Sequence, residues 1–280
     1  MRMAKRFHQV DVFGARPLRG NPLAVVHDAE DLSDGQMSAF ARWTHLSETT
    51  FLLPPTDPTA DYRVRIFTPG GELPFAGHPT LGTCFSWLAA GGRPKREGEV
   101  VQQCAVGLVR VRRHEERRLA FAAPPITVEP VDAALLDRVC KALGLPTARL
   151  LCAAWLSSGF PQLALELDSA QAVLSLKPDH QALKALPKVG VVGRYPAGSE
   201  CDVEVRFFVA SIGIDEDPVT GSLNANLGHW LMADGRMPRR YVASQGTAVQ
   251  CEGRVYLEHD GQTLWVGGDV DLLVEGRVAL

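Results

Sequence analysis

The 280-residue chain lacks the features by which several classes of protein are recognised. Its formal net charge is only −3, so it has no excess of basic residues of the kind that nucleic-acid-binding domains carry. No stretch approaches the roughly 20 consecutive apolar residues that a membrane-spanning helix needs. The basic N-terminal segment is not followed by an apolar core, so we expect no secretory signal there. We expect neither a nucleic acid nor a membrane as a partner.

Cysteine and histidine are scattered rather than clustered. The six cysteines form no C-x-x-C pair and no disulfide-dense spacing, which is typical of free thiols in a reducing compartment. We therefore expect a cytoplasmic protein. The histidines show neither H-x-H nor H-E-x-x-H spacing, so no metal site is predicted. A basic run at residues 110–118 lies between alternating segments and is interpreted as a solvated hairpin tip.

What the chain does contain is an internal repeat. Residues 61–67 match residues 202–208, with Asp, Val, Arg and Phe in step. Each copy leads into a glycine-containing loop and then into an apolar stretch that ends in Trp-Leu. A composition with 46% hydrophobic and 22% charged residues is ordinary for a globular chain of this length. The repeat therefore predicts two similar domains of ordinary size, not a solenoid.

The periodicity of apolar residues predicts an α+β fold in which mixed sheets each wrap around a helix. Helices are predicted over residues 31–45, 80–90 and 222–234, with Ser33 as the N-cap of the first. A proline-containing helix is predicted near residues 179–186. Pro124 and Pro125 mark the expected domain boundary, which assigns residues 1–123 to the first half and 124–280 to the second.

Two loops at the same point of the repeat, residues 75–80 and 216–222, each open a helix. The first turn of a helix leaves backbone N–H groups unpaired and carries partial positive charge. Gly77 and Gly221 would let a ligand approach that backbone. The two loops therefore predict a receptor for a carboxylate, or for an enolate that forms during a reaction. The alternative is that both glycines merely permit tight turns.

Glu48 and His78 are the candidates for proton transfer. Glu48 lies between two hydroxyl residues at the start of an apolar strand, where partial desolvation would raise its pKa and suit a group that takes and returns a proton. The alternative is a surface glutamate at a strand end. The approximate counterpart of Glu48 in the second half is Gly190. His78, at a helix N-terminus, should be near neutral and able to donate a hydrogen bond or a proton, although it could be only a capping histidine.

The second loop, residues 216–222, supplies polar groups but no counterpart of the Glu48 and His78 pair. Asp217 near a helix N-terminus is stabilised as an anion, and it could accept from a substrate amine or hydroxyl or orient the histidine of the first loop. Thr220 or Ser222 could be an ordinary N-cap. Asn224 and Asn226 are predicted to lie on the polar face of the following helix.

In this order, these segments resemble the signatures of the PhzF-like isomerase family of phenazine biosynthesis. The resemblance covers nearly the whole chain and rests on residues 10–13, 20–22, 46–51, 67–69, 75–79 and 217–222. It implies the diaminopimelate-epimerase-like fold, with two similar domains in a pseudo-twofold arrangement, each a mixed sheet curled around a central helix. The active site would lie in the cleft, and the last strand, about residues 270–280, would return to the first domain.

The resemblance also implies a homodimer and cofactor-free chemistry on a small carboxylate. In the phenazine member, a glutamate moves a proton within trans-2,3-dihydro-3-hydroxyanthranilate. Carried over, Glu48 is the catalytic proton shuttle. His78, Asp217 and Ser222 would bind and polarise the substrate, supported by the backbones of the two loop glycines.

Two departures and two alternatives remain open at this point. Epimerases of this fold use two opposed cysteines, but neither loop contains a cysteine, which disfavours two-thiol racemisation. Pro218-Val219 stands where the phenazine enzymes have Ala-Ala, which indicates the broader family. The alternatives are an epimerase-like proton transfer on an amino acid, and a non-catalytic small-carboxylate-binding protein of the same fold.

Overall fold

The computed structural model describes residues 4–114 and 117–280, and the chain divides into two compact units. Unit 1 extends to Ala122 and resumes at Gly267, and unit 2 comprises residues 123–266. Residues 1–3 and 115–116, which belong to the basic N-terminal segment and to the predicted hairpin tip, lie outside the described residues. Within the described ranges, no helix combines the length and hydropathy needed to cross a bilayer.

The described part of unit 1 contains two helices, and the rest is rich in strands. The helices are α1 (Asp34–Thr44) and α2 (Gly77–Ala89). The strands are β1 (Ala4–Val12), β2 (Asn21–Val26), β3 (Glu48–Leu53), β4 (Tyr62–Thr68), β5 (Gly71–Leu73), β6 (Glu99–Cys104), β7 (Gly107–Arg113) and β8 (Arg118–Ala122). The long strand β17 (Leu264–Ala279) begins in unit 2 and continues into unit 1.

The sheet of unit 1 closes on itself around α2. Its hydrogen-bonded order is β17–β1–β2–β3–β4–β6–β7–β8, and β8 pairs with β17 again. The pairs β2–β3 and β4–β6 are parallel, which makes the sheet mixed. Helix α2 contacts strands on several sides and is buried along most of its length, as its small and apolar residues allow. Helix α1 packs outside, where Ser33 forms the predicted cap in a capping box.

Unit 2 repeats this arrangement with additional short helices. The helices are α3 (Ala133–Leu143), α4 (Ala170–Leu174), α5 (His180–Leu183) and α6 (Gly221–Ala233). The strands are β9 (Thr127–Glu129), β10 (Leu150–Ser157), β11 (Pro161–Leu167), β12 (Val189–Arg194), β13 (Val203–Phe208), β14 (Glu216–Asp217), β15 (Arg240–Gln245) and β16 (Gly253–His259).

The strands of unit 2 follow the order β9–β10–β11–β12–β13–β15–β16, with β14 added to β13. The pairs β11–β12 and β13–β15 are parallel, and α6 packs against β10 and β16. The helix predicted over residues 179–186 is only the single turn α5. Helix α4 was not predicted, because five residues are too few to show a helical period.

Side-chain and backbone bonds confirm the repeat at the level of single residues. Asp61 N–H donates to the Val101 carbonyl at 2.8 Å, and Asp61 Oδ2 accepts from Val101 N–H at 2.7 Å. Asp202 makes the same two bonds with Val242, at 2.9 and 2.8 Å. The prediction of an α+β fold with two similar halves, each a mixed sheet around a helix, is therefore confirmed.

The strand register identifies the counterpart of Glu48. Thr49 and Val189 are equivalent, because each pairs with the last phenylalanine of the repeated segment in its own unit. The residue that corresponds to Glu48 is therefore Lys188. The sequence-based choice of Gly190 was two residues out of register, because the strand pairing that sets the register is not visible in the sequence.

The enclosure of α2 predicts a strong effect of one added methyl group. A Cβ at Gly82 would lie 2.6 Å from the Leu23 side chain and 2.9 Å from that of Val12. We expect Gly82→Ala to lower the free energy of unfolding by about 1–3 kcal/mol in urea titrations, because the core must shift. Gly35 in α1 is exposed, and a Cβ there meets only Ser33, at 3.9 Å. The control Gly35→Ala should be stabilising, by up to about 1 kcal/mol; equal effects would contradict this packing.

Candidate active site

Glu48 and His78 lie side by side in unit 1. Glu48 is the first residue of β3, and His78 lies in the first turn of α2, directly after Gly77. His78 Nε2 is 3.5 Å from Glu48 Oε2, and the two side chains are 5% and 16% exposed. Two of the predicted site residues, 30 positions apart in sequence, are therefore in contact, and the Gly77 backbone belongs to the same helix turn.

Burial determines the charge of His78. Removal from water lowers the pKa of His78 to about 3, and a hydrogen bond to the Pro22 backbone opposes this shift only in part. The imidazole is therefore neutral near pH 7. The sequence predicted this direction from the helix N-terminus, whereas the cause in the structure is desolvation. The contact with Glu48 is consequently not an ion pair at neutral pH.

The hydrogen bond to Pro22 also fixes the tautomer of His78. Proline has no N–H, so the Pro22 group is its carbonyl, which can only accept, and the bonded ring nitrogen must carry the proton. Among the described residues Nε2 has no hydrogen-bond partner, so the bonded nitrogen is Nδ1. His78 Nε2 therefore turns a lone pair toward Glu48. It can accept a hydrogen bond from Glu48 only when that carboxyl group is protonated.

The corresponding turn of unit 2 carries Asp217 and Ser222. Asp217 ends β14, and α6 begins at Gly221 with Thr220 in the N-cap position. The Thr220 side chain does not cap the helix; its hydroxyl donates to Asp217 Oδ2 instead. Of the two N-cap candidates from the sequence, Thr220 holds the cap position, but its side chain makes no capping bond. Ser222 Oγ, in the first turn of α6, lies 3.4 Å from Gln162 Nε2.

A buried ion pair anchors the strand that carries Asp217. The guanidinium of Arg206 binds both carboxylate oxygens of Glu216 at 2.9 and 2.7 Å, and both side chains are almost fully buried. In unit 1, Arg65 and Glu72 form the same two-bond contact, at 2.7 and 2.6 Å, in a more exposed setting. Each unit therefore uses an arginine–glutamate clamp to hold the hairpin that leads into its enclosed helix.

Asn224 and Asn226 are buried, so their predicted place on a polar helix face was wrong. Asn224 Nδ2 donates to Gln245 Oε1 at 2.8 Å, and Asn226 Nδ2 donates to Gln162 Oε1 at 2.8 Å. Helix α6 is enclosed and has no solvent-facing side at these positions, so its polar side chains pair with buried partners. The two glutamines were missed because each lies on a distant strand and neither belongs to a local motif.

The described residues contain no group of three or more His, Cys, Asp or Glu side chains that could hold a metal ion. Glu48, His78 and the Gly77 backbone are brought together in unit 1. Asp217, Gly221 and Ser222 lie between the end of β14 and the first turn of α6 in unit 2.

Comparison with known proteins identifies the family. Residues 10–276 match the PhzC-PhzF family, described as phenazine biosynthesis-like protein. The chain is similar to antisense-enhancing sequence 1 of Schizosaccharomyces pombe, 33% identical over 97% of both chains. It is also similar to the trans-2,3-dihydro-3-hydroxyanthranilate isomerase of Pseudomonas aeruginosa, 32% identical over 98% of this chain and 99% of the relative. The chain therefore belongs to the PhzF family, and it is an isomerase of that family.

Solved structures agree on the fold. The crystal structure of a PhzF-family protein from Bacillus anthracis covers 99% of this chain and 100% of its own, with a TM-score of 0.85 at 20% identity. A hydroxyproline epimerase from Agrobacterium vitis covers 100% of this chain and 94% of its own, with a TM-score of 0.66 at 15% identity. At these identities the likeness concerns the fold alone, and it supports the epimerase-like architecture that the sequence predicted.

The neutral state of His78 predicts a specific dependence of stability on pH. The folded protein resists protonation of His78 down to about pH 3, whereas an unfolded histidine takes up a proton near pH 6.5. Stability supplied by this residue is therefore present above pH 6.5 and is lost as the pH falls, by up to about 1.4 kcal/mol per pH unit. His78→Asn should flatten the dependence of unfolding free energy on pH between pH 6.5 and 4.5 in urea titrations.

His45 provides a matched control for this substitution. It is exposed at the end of α1 with a φ of 57°, a conformation that asparagine tolerates. His45→Asn should leave the slope between pH 6.5 and 4.5 as in the wild type. An unchanged slope in His78→Asn would show that the imidazole is not held neutral.

Proposed function

We propose that the protein is a cofactor-independent isomerase that moves a proton within a small carboxylate, with Glu48 as the proton shuttle. The observation that carries this proposal is the 3.5 Å contact between Glu48 Oε2 and the neutral His78. A carboxylate largely withdrawn from water, beside a hydrogen-bond acceptor that engages only its protonated form, suits a group that takes up and later releases one proton. The first turn of α2, at the same place, offers backbone N–H groups to developing negative charge.

The proposed reaction has two proton transfers. Glu48 removes a proton from a carbon that is acidified by conjugation with the substrate carboxylate, and the electron pair passes into the conjugated system as an enolate. The protonated Glu48 then donates a hydrogen bond to His78 Nε2. Breaking that bond as Glu48 returns the proton to another carbon on the same face completes the isomerisation, without net gain or loss of protons or electrons.

We propose that the other predicted site residues bind the substrate. Asp217 would accept a hydrogen bond from a substrate amine or hydroxyl, and Ser222 would offer its hydroxyl to a substrate oxygen. The first turns of α2 and α6, which begin at Gly77 and Gly221, would supply backbone N–H groups to negatively charged oxygens.

The proposed substrate is trans-2,3-dihydro-3-hydroxyanthranilate or a related cyclic, unsaturated carboxylate. The relative from Pseudomonas aeruginosa that is named for this activity aligns with nearly the whole chain. The compound carries a carboxylate, an amine and a hydroxyl, which match the donor and acceptor groups assigned above. Pro218 and Val219 lie in the turn next to Asp217, where a different substrate would be accommodated.

The proposal is tested by replacing Glu48 with a side chain of similar shape that cannot act as a base. Glu48→Gln should reduce turnover of trans-2,3-dihydro-3-hydroxyanthranilate by at least about 100-fold, because the amide cannot accept the proton. Turnover would be followed by absorbance and product analysis. Binding, measured by titration calorimetry, should be retained. Glu30→Gln, at an exposed position of the same unit, controls for loss of one negative charge. A near-wild-type rate in Glu48→Gln would remove Glu48 from the role of base.

The same assay separates the alternatives. If the wild type binds the compound without consuming it, a deuterium-exchange screen of other small carboxylates would locate the substrate. Solvent exchange at the α-carbon of an amino acid, with inversion, would favour an epimerase. Tight binding of aryl carboxylates with no proton exchange in any compound would favour a binding protein.

A further inference from the structure

Gln245 is a buried amide that lies against the turn between Asp217 and α6. It is the last residue of β15, and its side chain is inaccessible to solvent. Its Oε1 accepts from Thr220 N–H at 3.0 Å and from Asn224 Nδ2 at 2.8 Å. Its Nε2 donates to the Asp217 carbonyl at 3.1 Å and to Thr220 Oγ at 3.0 Å. All four hydrogen-bonding positions of the amide are therefore used on a single turn.

The orientation of this amide is fixed by the backbone of Thr220. A backbone N–H can only donate, so the group of Gln245 that faces it must be the oxygen. Asn224 is fixed in the same way, because its Nδ2 also donates to the Thr220 carbonyl at 2.9 Å, and a carbonyl can only accept. Neither amide can be turned over without placing two donors or two acceptors against each other. The assignment of nitrogen and oxygen, often ambiguous for amide side chains, is unambiguous here.

This orientation dictates where the hydroxyl proton of Thr220 points. Thr220 Oγ accepts a hydrogen bond from Gln245 Nε2, so its own single proton is directed elsewhere. The Thr220 hydroxyl contacts Asp217 Oδ2, which it meets as a donor. Asp217 Oδ2 is therefore an acceptor, and a proton on that oxygen would oppose the proton of Thr220.

We infer that Gln245 is a positioning residue that acts through Thr220 to keep the Asp217 carboxylate an acceptor, and that the substrate consequently presents an N–H or O–H donor to Asp217. The inference rests on the proposed role of Asp217 in binding. It adds to that role a selectivity for ligands that carry a hydrogen-bond donor. The turn that carries Asp217 then distinguishes an amine-bearing carboxylate from the same carboxylate without the amine. A ligand that covers Asp217 without offering it a donor removes water from the carboxylate and replaces no hydrogen bond.

Gln245→Glu tests the direction of the chain of hydrogen bonds. An ionised glutamate side chain has nearly the same shape and can still accept from Thr220 N–H and Asn224, but its second oxygen cannot donate to Thr220 Oγ or to the Asp217 carbonyl. The Thr220 hydroxyl would then turn its proton to the introduced carboxylate, and Asp217 would lose a donor. Thr220→Val removes the same hydroxyl without introducing a charge, and Thr220→Ser retains it.

The measurement is the dissociation constant of two non-reacting probes, anthranilate and benzoate, which differ by one amine. In the wild type we expect anthranilate to bind more tightly. Gln245→Glu and Thr220→Val should each weaken anthranilate by about 10- to 100-fold, as expected for loss of a hydrogen bond to a charged group, and should change benzoate little. Thr220→Ser, which keeps the hydroxyl, should retain the preference for anthranilate over benzoate. The double variant with Gln245→Glu and Thr220→Val should bind anthranilate no more weakly than the weaker-binding single variant, because both substitutions break the same chain of hydrogen bonds.

A purely structural role for Gln245 would weaken both probes together, and that result would overturn the inference. Equal binding of the two probes by the wild type, or failure of anthranilate to bind, would overturn it as well. Gln181→Glu, at an exposed position in unit 2, controls for the added charge. Because these probes undergo no proton transfer, the outcome is independent of Glu48, and turnover by Glu48→Gln tests the proposed reaction separately.

Discussion

The enclosure of a helix inside a curled mixed sheet is the constraint on which the other features depend. Helices α2 and α6 are buried on nearly all sides, so their middle turns have no aqueous face. Their first turns leave backbone N–H groups unpaired, and the proposed function assigns those groups to a ligand. The same enclosure removes His78 from water and makes it neutral. It also obliges Asn224 and Asn226 to find buried amide partners.

The two units share the hydrogen bonds that hold their sheets and differ in the side chains near their enclosed helices. The bonds of Asp61 to Val101 recur between Asp202 and Val242, and the arginine–glutamate clamps recur as well. The groups at the ends of the enclosed helices do not recur, since an acidic residue at the start of β3 corresponds to a lysine in unit 2. The two halves thus use the same structural bonds, while the proposed proton chemistry is confined to one of them.

The sequence was sufficient for the features that depend on local pattern. The helices that became α1, α2 and α6 were placed within three residues of their ends, and the N-cap of α1 was identified from Ser33 alone. Glu48 and His78 were singled out from their neighbours, and the structure brings them into contact. Gln162 and Gln245 could not be found in this way, because their roles arise from strand pairing across long sequence separations. The tautomer of His78 depends on the Pro22 carbonyl, which only the folded chain brings to the ring.

Strand β17 has a consequence for the order in which the protein is made. Most of unit 1 is formed by residues 1–122, but its sheet is closed by residues from 267 onward, which pair with both β1 and β8. A growing chain emerges from the ribosome N-terminus first, so unit 2 is synthesised in full before the barrel around α2 can close. Until then β1 and β8 have open edges, and the sheet that encloses Glu48 and His78 is incomplete. The proposed proton-transfer groups come early in the chain, but their surroundings are completed only late in synthesis.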